Sequence, residues 1–435
     1  MRLPLIVLLA LPTLGFAQGT LTPPSGAFVG GAPAPTMKSL DQIEARTPLG
    51  AVGGSFAAIS IDSPGSYVLL GNLSVRAGDG ITINSDNVTL DLNGFTISSS
   101  ANPASGIAIS ISGAYSAISI RNGHIRGTTN YTDYPTPTFT GGGFNSGIVS
   151  GFAYSRGQGA TGIAVVGVAA TGIRLSSEGS TITDCTVTIC GGSGLSSTTV
   201  HNSSAITCGA YAISAHAVAN CYATCVAPSS GYSGIYAQTV TNSFGTSTSG
   251  NGIYAETATN CYGTSTSGTG LSVDVATNCS GQSTTGTGLL ARVATGSAGN
   301  STSGSGLQVS ECAIGCSGTT STGAYGVWVG SPVDTGTADN CRGTATGPGR
   351  GLSAENATNC FGRSSSGLGV YAITASNCSA YTGSGDLAMD VVGAATNCRA
   401  VCSKAGGKAI RAAVAVSCTT GGGTIDAPQK FLGTP

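Results

Sequence analysis

Charge is scarce in this sequence. Asp, Glu, Lys and Arg make up 8% of its 435 residues, against about a quarter in ordinary soluble proteins. The 17 basic and 18 acidic residues nearly cancel, and no Lys/Arg cluster stands out. That argues against nucleic acid or an anionic membrane as partner. Bulky side chains are scarce too: one Trp, three Met and 6% aromatic residues. Past the first dozen residues no apolar run is long enough to cross a bilayer.

What is abundant is small. Gly alone numbers 69, and Gly, Ser, Thr and Ala fill long stretches. Disorder is excluded by the 40% hydrophobic content, because disordered chains are poor in apolar residues. The apolar groups must therefore be buried without a conventional bulky core.

The ends read as accessory segments. Arg2, the apolar run Leu3–Leu11 and Gly15-Phe16-Ala17 have the form of a cleavable export signal over residues 1–17. Export implies a secreted or otherwise extracytoplasmic protein. Residues 18–50 form a Pro/Gly-rich lead-in with a short helix expected over 36–44, where Leu40 and Ile43 share a face. A helix there caps an otherwise open sheet edge. Residues 51–425 are expected to form the main domain and 426–435 a tail.

The main domain repeats. Gly followed by an aliphatic residue recurs at Gly234, Gly252, Gly270, Gly288 and Gly306, each 18 apart, and again at Gly326, Gly351 and Gly369. Looser versions occur at Gly172, Gly194 and Ala212. Asn-Cys marks the same unit at 220–221, 260–261, 278–279, 340–341, 359–360, 377–378 and 397–398. Within a unit apolar residues alternate, as in Ile253, Ala255 and Leu271, Val273, which is a strand period. A unit this small has no core of its own and must stack on its neighbours. The expected fold is all-β, a right-handed parallel β-helix of about 17 rungs of mostly 18–22 residues, roughly 80 Å long. A left-handed hexapeptide template fails, since Ile253 is followed at six and twelve by Thr259 and Ser265. The recurring Asp of a Ca²⁺-binding nonapeptide is absent.

Fifteen Cys in an exported chain suggest disulfides. The repeat argues otherwise. Equivalent Cys on adjacent rungs lie about 4.8 Å apart with parallel Cβ bonds, beyond the usual disulfide separation. Most are read as stacked, inert core thiols. Cys221/Cys225, Cys312/Cys316 and Cys398/Cys402 are left open. The Asn before each Cys is read as a corner residue that adopts left-handed backbone.

The stretches "GDGITINSDNVTLDLNGFTI" (78–97), "ISIRNGHIRG" (118–127) and "APTMKSLDQIEARTP" (34–48) resemble secreted bacterial right-handed parallel β-helix proteins of the pectate-lyase-like superfold. The resemblance implies a fold rather than an activity, because that superfold hosts lyases, hydrolases and adhesins. Polysaccharide-cleaving members work on the outer face of the rod. Their hydrolase pattern of paired Asp with Gly-His-Gly is missing here. His124, His201 and His216 are scattered, and His124 reads as part of an ordinary rung.

Register supplies the candidate sites. The fourth residue after each rung Gly points outward, which aligns Gln238, Glu256, Asp274 and Arg292. Glu256 and Asp274, about 5 Å apart, can share a Ca²⁺ and Arg292 can engage a substrate carboxylate. The bland alternative is a solvated charge ladder. The second residue after each Gly gives an outward aromatic row of Tyr236, Tyr254, Trp328 and Tyr371, a surface for sugar rings or simply cross-rung packing. Insertions at 128–146 (with Tyr131, Tyr134, Phe139 and Phe144) and 330–349 (with Pro332 and Pro348) are expected as loops. Two functional readings follow. The first is a non-catalytic rod with a structural, adhesive or glycan-binding role and no cofactor. The second is a Ca²⁺-dependent polysaccharide lyase or a glycoside hydrolase built on Glu256, Asp274 and Arg292.

Overall fold

The computed structural model describes residues 46–50, 58–133, 136–152, 154–227, 231–330 and 336–431. The export signal, the 36–44 helix, Tyr134 and Pro332 lie outside the described residues. Thr47–Pro435 forms one compact unit.

Each coil of this unit contributes three short strands, and each strand pairs in parallel with its equivalent one coil away. The first ladder begins with Ile59–Ile61, the second with Thr47–Leu49 and Gly65–Leu69, and the third with Leu73–Val75. In several coils two of these strands merge, as in Ile253–Thr259, which serves the first and second ladders. The result is an all-β parallel solenoid of about 18 turns, with no helix among the described residues. At the far end Thr424–Asp426 and Gln429–Phe431 still pair with the coil before them. The 18-residue unit is the register itself: Ile253, Leu271, Leu289 and Leu307 stack in one column.

The interior changes along the axis. Early coils bury Ile81, Ile83, Leu90, Leu92, Ile109 and Ile120 completely. In the regular coils the buried positions are one or two aliphatic residues and then small ones, as in Ile253, Ala255, Ala258, Cys261, Gly263 and Ser265. These coils are thin. A Cβ on Gly252 would sit 2.3 Å from the Thr264 nitrogen across the same coil, so only hydrogen fits there. That close approach is why the repeat needs its marker Gly.

The corner after the second ladder explains the recurrent Asn. Asn202, Asn220, Asn242, Asn260, Asn278, Asn340, Asn359, Asn377 and Asn397 all have φ between 45° and 55°. Asn pays less than most residues for left-handed backbone. Where the corner lacks Asn, the residue is Gly at 162, 296 and 315, Asp at 184 or Ser at 417. The Asn side chains also bond along the axis: Asn260 Nδ2 donates to Asn242 Oδ1 at 3.2 Å, and Asn242 Nδ2 to Asn220 Oδ1 at 3.3 Å.

Directly after most corners comes the Cys. Cys316, Cys341, Cys360, Cys378, Cys398 and Cys418 occupy successive coils, and every cysteine is a free thiol. Ser203, Ser243 and Ser297 take the same position in other coils. Their hydroxyls donate to the carbonyl of the residue just before the corner, as Ser243 Oγ does to Thr241 O at 2.8 Å, and the Cys261 thiol does the same to Thr259 O at 3.2 Å. The pairs left open resolve the same way. Cys221 and Cys225 stand in different columns, as do Cys398 and Cys402, and Cys312 lies half-buried in the second ladder.

The 128–146 insertion holds a small antiparallel pair, Asn130–Thr132 with Thr138–Thr140, in which Tyr131 and Phe139 rings meet at 5.1 Å. Phe144 departs from the loop expectation. It is fully buried in the core, where it fills a wide early coil.

Candidate functional site

A depression lies on the outer face of the first ladder. Register builds one outward row there: Arg174, Ser196, Ser214, Tyr236, Tyr254 and Ser272 on successive coils. Ser196 and Ser214 are small, so the row sinks between Arg174 and Tyr236. Phe152, His216 and Gln238 rise beside it, and Glu256 and Asp274 continue one flank. Together they enclose a groove of about 730 Å³.

Tyr236 and Tyr254 are 44% and 45% exposed, which leaves surface for a ligand. Their rings stack at 5.5 Å with only 4° between planes. The stack covers one face of Tyr254. Its other face looks along the axis over Ser272, whose side chain is small. Tyr211 packs edge-on against Tyr232 and tilted against Tyr236 from below, at 5.1 and 5.2 Å, and burial pushes its phenol pKa up.

The four aromatic candidates do not form one strip. Tyr236 and Tyr254 share the groove. Trp328 sits farther along the row, half-buried against Tyr325 at 5.3 Å. Tyr371 lies beyond it, half-buried, with the Arg350 guanidinium 4.5 Å over its ring. The charged candidates keep the expected register, with Glu256, Asp274 and Arg292 on successive coils, and two of them line the groove. Glu256 and Asp274 are exposed neighbours in the groove, whereas Arg292 lies outside its lining and bonds Glu311 through Nη1–Oε2 at 2.7 Å. Among the described residues no group of three or more His, Cys, Asp or Glu is arranged to hold a metal ion, so Glu256 and Asp274 have no third protein ligand of those types.

Arg174 and His216 are groove residues that sequence reasoning left aside. Arg174 was within reach, because it is the second residue after Gly172 and so belongs to the same row as Tyr236. His216 was within reach as well, because it is the fourth residue after Ala212, as Gln238 is after Gly234.

A second shallow hollow follows the Asn corner. Tyr222, Phe244 and Tyr262 stack there at 5.0 and 5.2 Å. The Tyr262 hydroxyl donates to Gln282 Oε1 at 2.7 Å.

No protein-family model matches the chain, and no curated protein does. Two solved structures align with it, both the catalytic domain of a GH87 alpha-1,3-glucanase in complex with nigerose. They share 12% and 11% identity, cover 92% of this chain and 70% of theirs, and superpose with TM-scores of 0.18 and 0.15. Superpositions that loose carry no argument.

Proposed function

We propose that this protein is a secreted, non-catalytic β-helical rod that binds glycan through the Tyr236–Tyr254 groove. One observation carries the reading. An exposed tyrosine pair borders a depression floored by serine hydroxyls, with Arg174, Glu256 and Asp274 among its lining residues. A sugar presents an apolar C–H face and a rim of hydroxyls, which such a surface complements. The open face of Tyr254 above Ser272 is the natural seat for one ring. Titration calorimetry of the mature chain with ligands found on a glycan array tests this. Tyr254→Ala is expected to weaken binding about tenfold, the scale of one lost aromatic contact. A blank array, or unchanged affinity in the variant, overturns the reading.

A second reading rests on Glu256 and Asp274 standing on successive coils within that groove. Coil spacing of about 4.8 Å sets their backbones near the roughly 5–5.5 Å carboxyl separation of retaining glycosidases, and two carboxylates can also share Ca²⁺. New reducing or unsaturated ends on polysaccharide, lost in Asp274→Ala, would favour catalysis over binding alone.

A further inference from the structure

The third ladder carries charge of one sign only. No residue of its strands, from Leu73–Val75 to Thr419–Gly422, is Asp or Glu, while Arg126, Arg342, Arg363 and Arg399 all lie on it. Three of these gather within four coils. Arg342, Phe361, Ser379 and Arg399 form one outward row, with Arg363 and Tyr381 in the row beside it. Arg342, Arg363 and Arg399 are exposed, and none enters an ion pair among the described residues. The Arg342 guanidinium lies 5.3 Å over the Phe361 ring and that of Arg363 lies 5.2 Å over Tyr381. Stacking fixes each plane and leaves its N–H edge open to an oxyanion. On the far side of Phe361, small Ser379 leaves a cavity of about 480 Å³ bounded by Phe361, Arg363, Tyr381 and Arg399.

We propose that this face is a second binding site, separate from the tyrosine groove, for a sulfated glycan lying along the rod. Arg363 and Arg399 stand two coils apart, about 10 Å along the axis, too far to grip a single ion. They suit charges carried on one polymer. The cavity beside Phe361 is ring-sized, with an apolar wall for a pyranose C–H face and the Ser379 and Tyr381 hydroxyls at its rim. Guanidinium is a weakly hydrated cation, and a sulfate ester is a weakly hydrated anion, so the two shed water for each other more readily than guanidinium and carboxylate do. Nucleic acid fits less well, because three arginines neutralise fewer phosphates than stable binding draws on.

The test measures binding of the full mature chain to immobilised dextran sulfate, with dextran, polygalacturonate and a single-stranded DNA oligomer as parallel surfaces. Dextran sulfate is expected to bind most tightly, with affinity falling as salt rises. The double variant Arg363→Ala/Arg399→Ala should lose at least about tenfold, the scale of a lost charge-assisted contact. Arg156→Ala removes another exposed arginine, already paired with Glu178, and should change nothing. Tyr254→Ala should also leave this binding intact, which separates failure of this site from failure of the groove. Absent dextran sulfate binding, or a double variant that binds like wild type, overturns the proposal. Equal or tighter binding of polygalacturonate overturns the sulfate assignment, and equal or tighter binding of DNA overturns the glycan assignment.

Discussion

At the Asn corners, backbone conformation selects the residue. Asn260 holds φ 53°, a region that costs most side chains about 1–2 kcal/mol. Asn260→Ala is expected to lower unfolding free energy by about that amount, and Asn260→Gly by less, as measured by denaturant titration. The cysteines next to the corners are selected by volume and by one weak donor. Because Ser243 and Ser297 occupy the same position with the same carbonyl partner, Cys279→Ser is expected to cost under about 1 kcal/mol. Burial also sets the titration of Cys185, which follows the corner at Asp184. Desolvation raises the Cys185 pKa from 9.0 to about 11. The unfolded chain therefore releases a proton above pH 9 that the folded chain retains. The stabilisation is full below pH 9 and is lost as pH rises toward about 11. The thiolate absorbance near 240 nm that Cys185→Ser removes should accordingly be small in native protein at pH 10 and full in denaturant.

Within a coil, the third-ladder strand ends in a buried hydroxyl that sequence alone did not single out. Ser265 Oγ donates to Gly250 O at 2.6 Å and accepts from the Gly268 nitrogen at 2.9 Å, tying one coil to the previous one. Ser283, Ser301, Ser364 and Thr382 repeat the clasp. Ser265→Ala leaves two buried backbone groups unmet and should cost about 1–3 kcal/mol, while Ser265→Thr should be tolerated, as Thr382 already is. Gly252→Ala should be worse than tolerable packing allows, near 3 kcal/mol, because its new carbon would meet backbone rather than a movable side chain. Such positions show what a single sequence reveals and what it hides. Period-two alternation and the 18-residue step were legible, so the Asn corners, the free thiols and the outward row of Tyr236 and Tyr254 followed from counting. The clasp was hidden because Ser265 sits in a run of Ser, Thr and Gly with no local contrast. Phe144 was hidden because an irregular insertion breaks the count just before it. The pairing of Arg292 with Glu311 was hidden because an extra residue shifts the register between Ala291 and Val293.

For the whole molecule, stability is close to a sum over coils and their nearest-neighbour contacts. Removing residues 288–305 in frame takes out one regular coil and joins Leu271 directly beneath Leu307 in the same column. That deletion is expected to yield a folded rod shorter by about 5 Å, with a thermal midpoint within a few degrees of the parent, checked by small-angle scattering and circular dichroism. The tyrosine groove and the arginine face both survive it, since neither uses that coil. They lie on different ladders, with Tyr254 and Arg363 five coils apart.

Units of eighteen residues that share one register can be gained or lost whole, since each rests only on its neighbours. Each such event would slide one ligand-bearing face past the other by a single fixed notch while leaving both surfaces untouched. The gene thus encodes a graduated spacer, one whose length natural variants can reset without inventing a new contact.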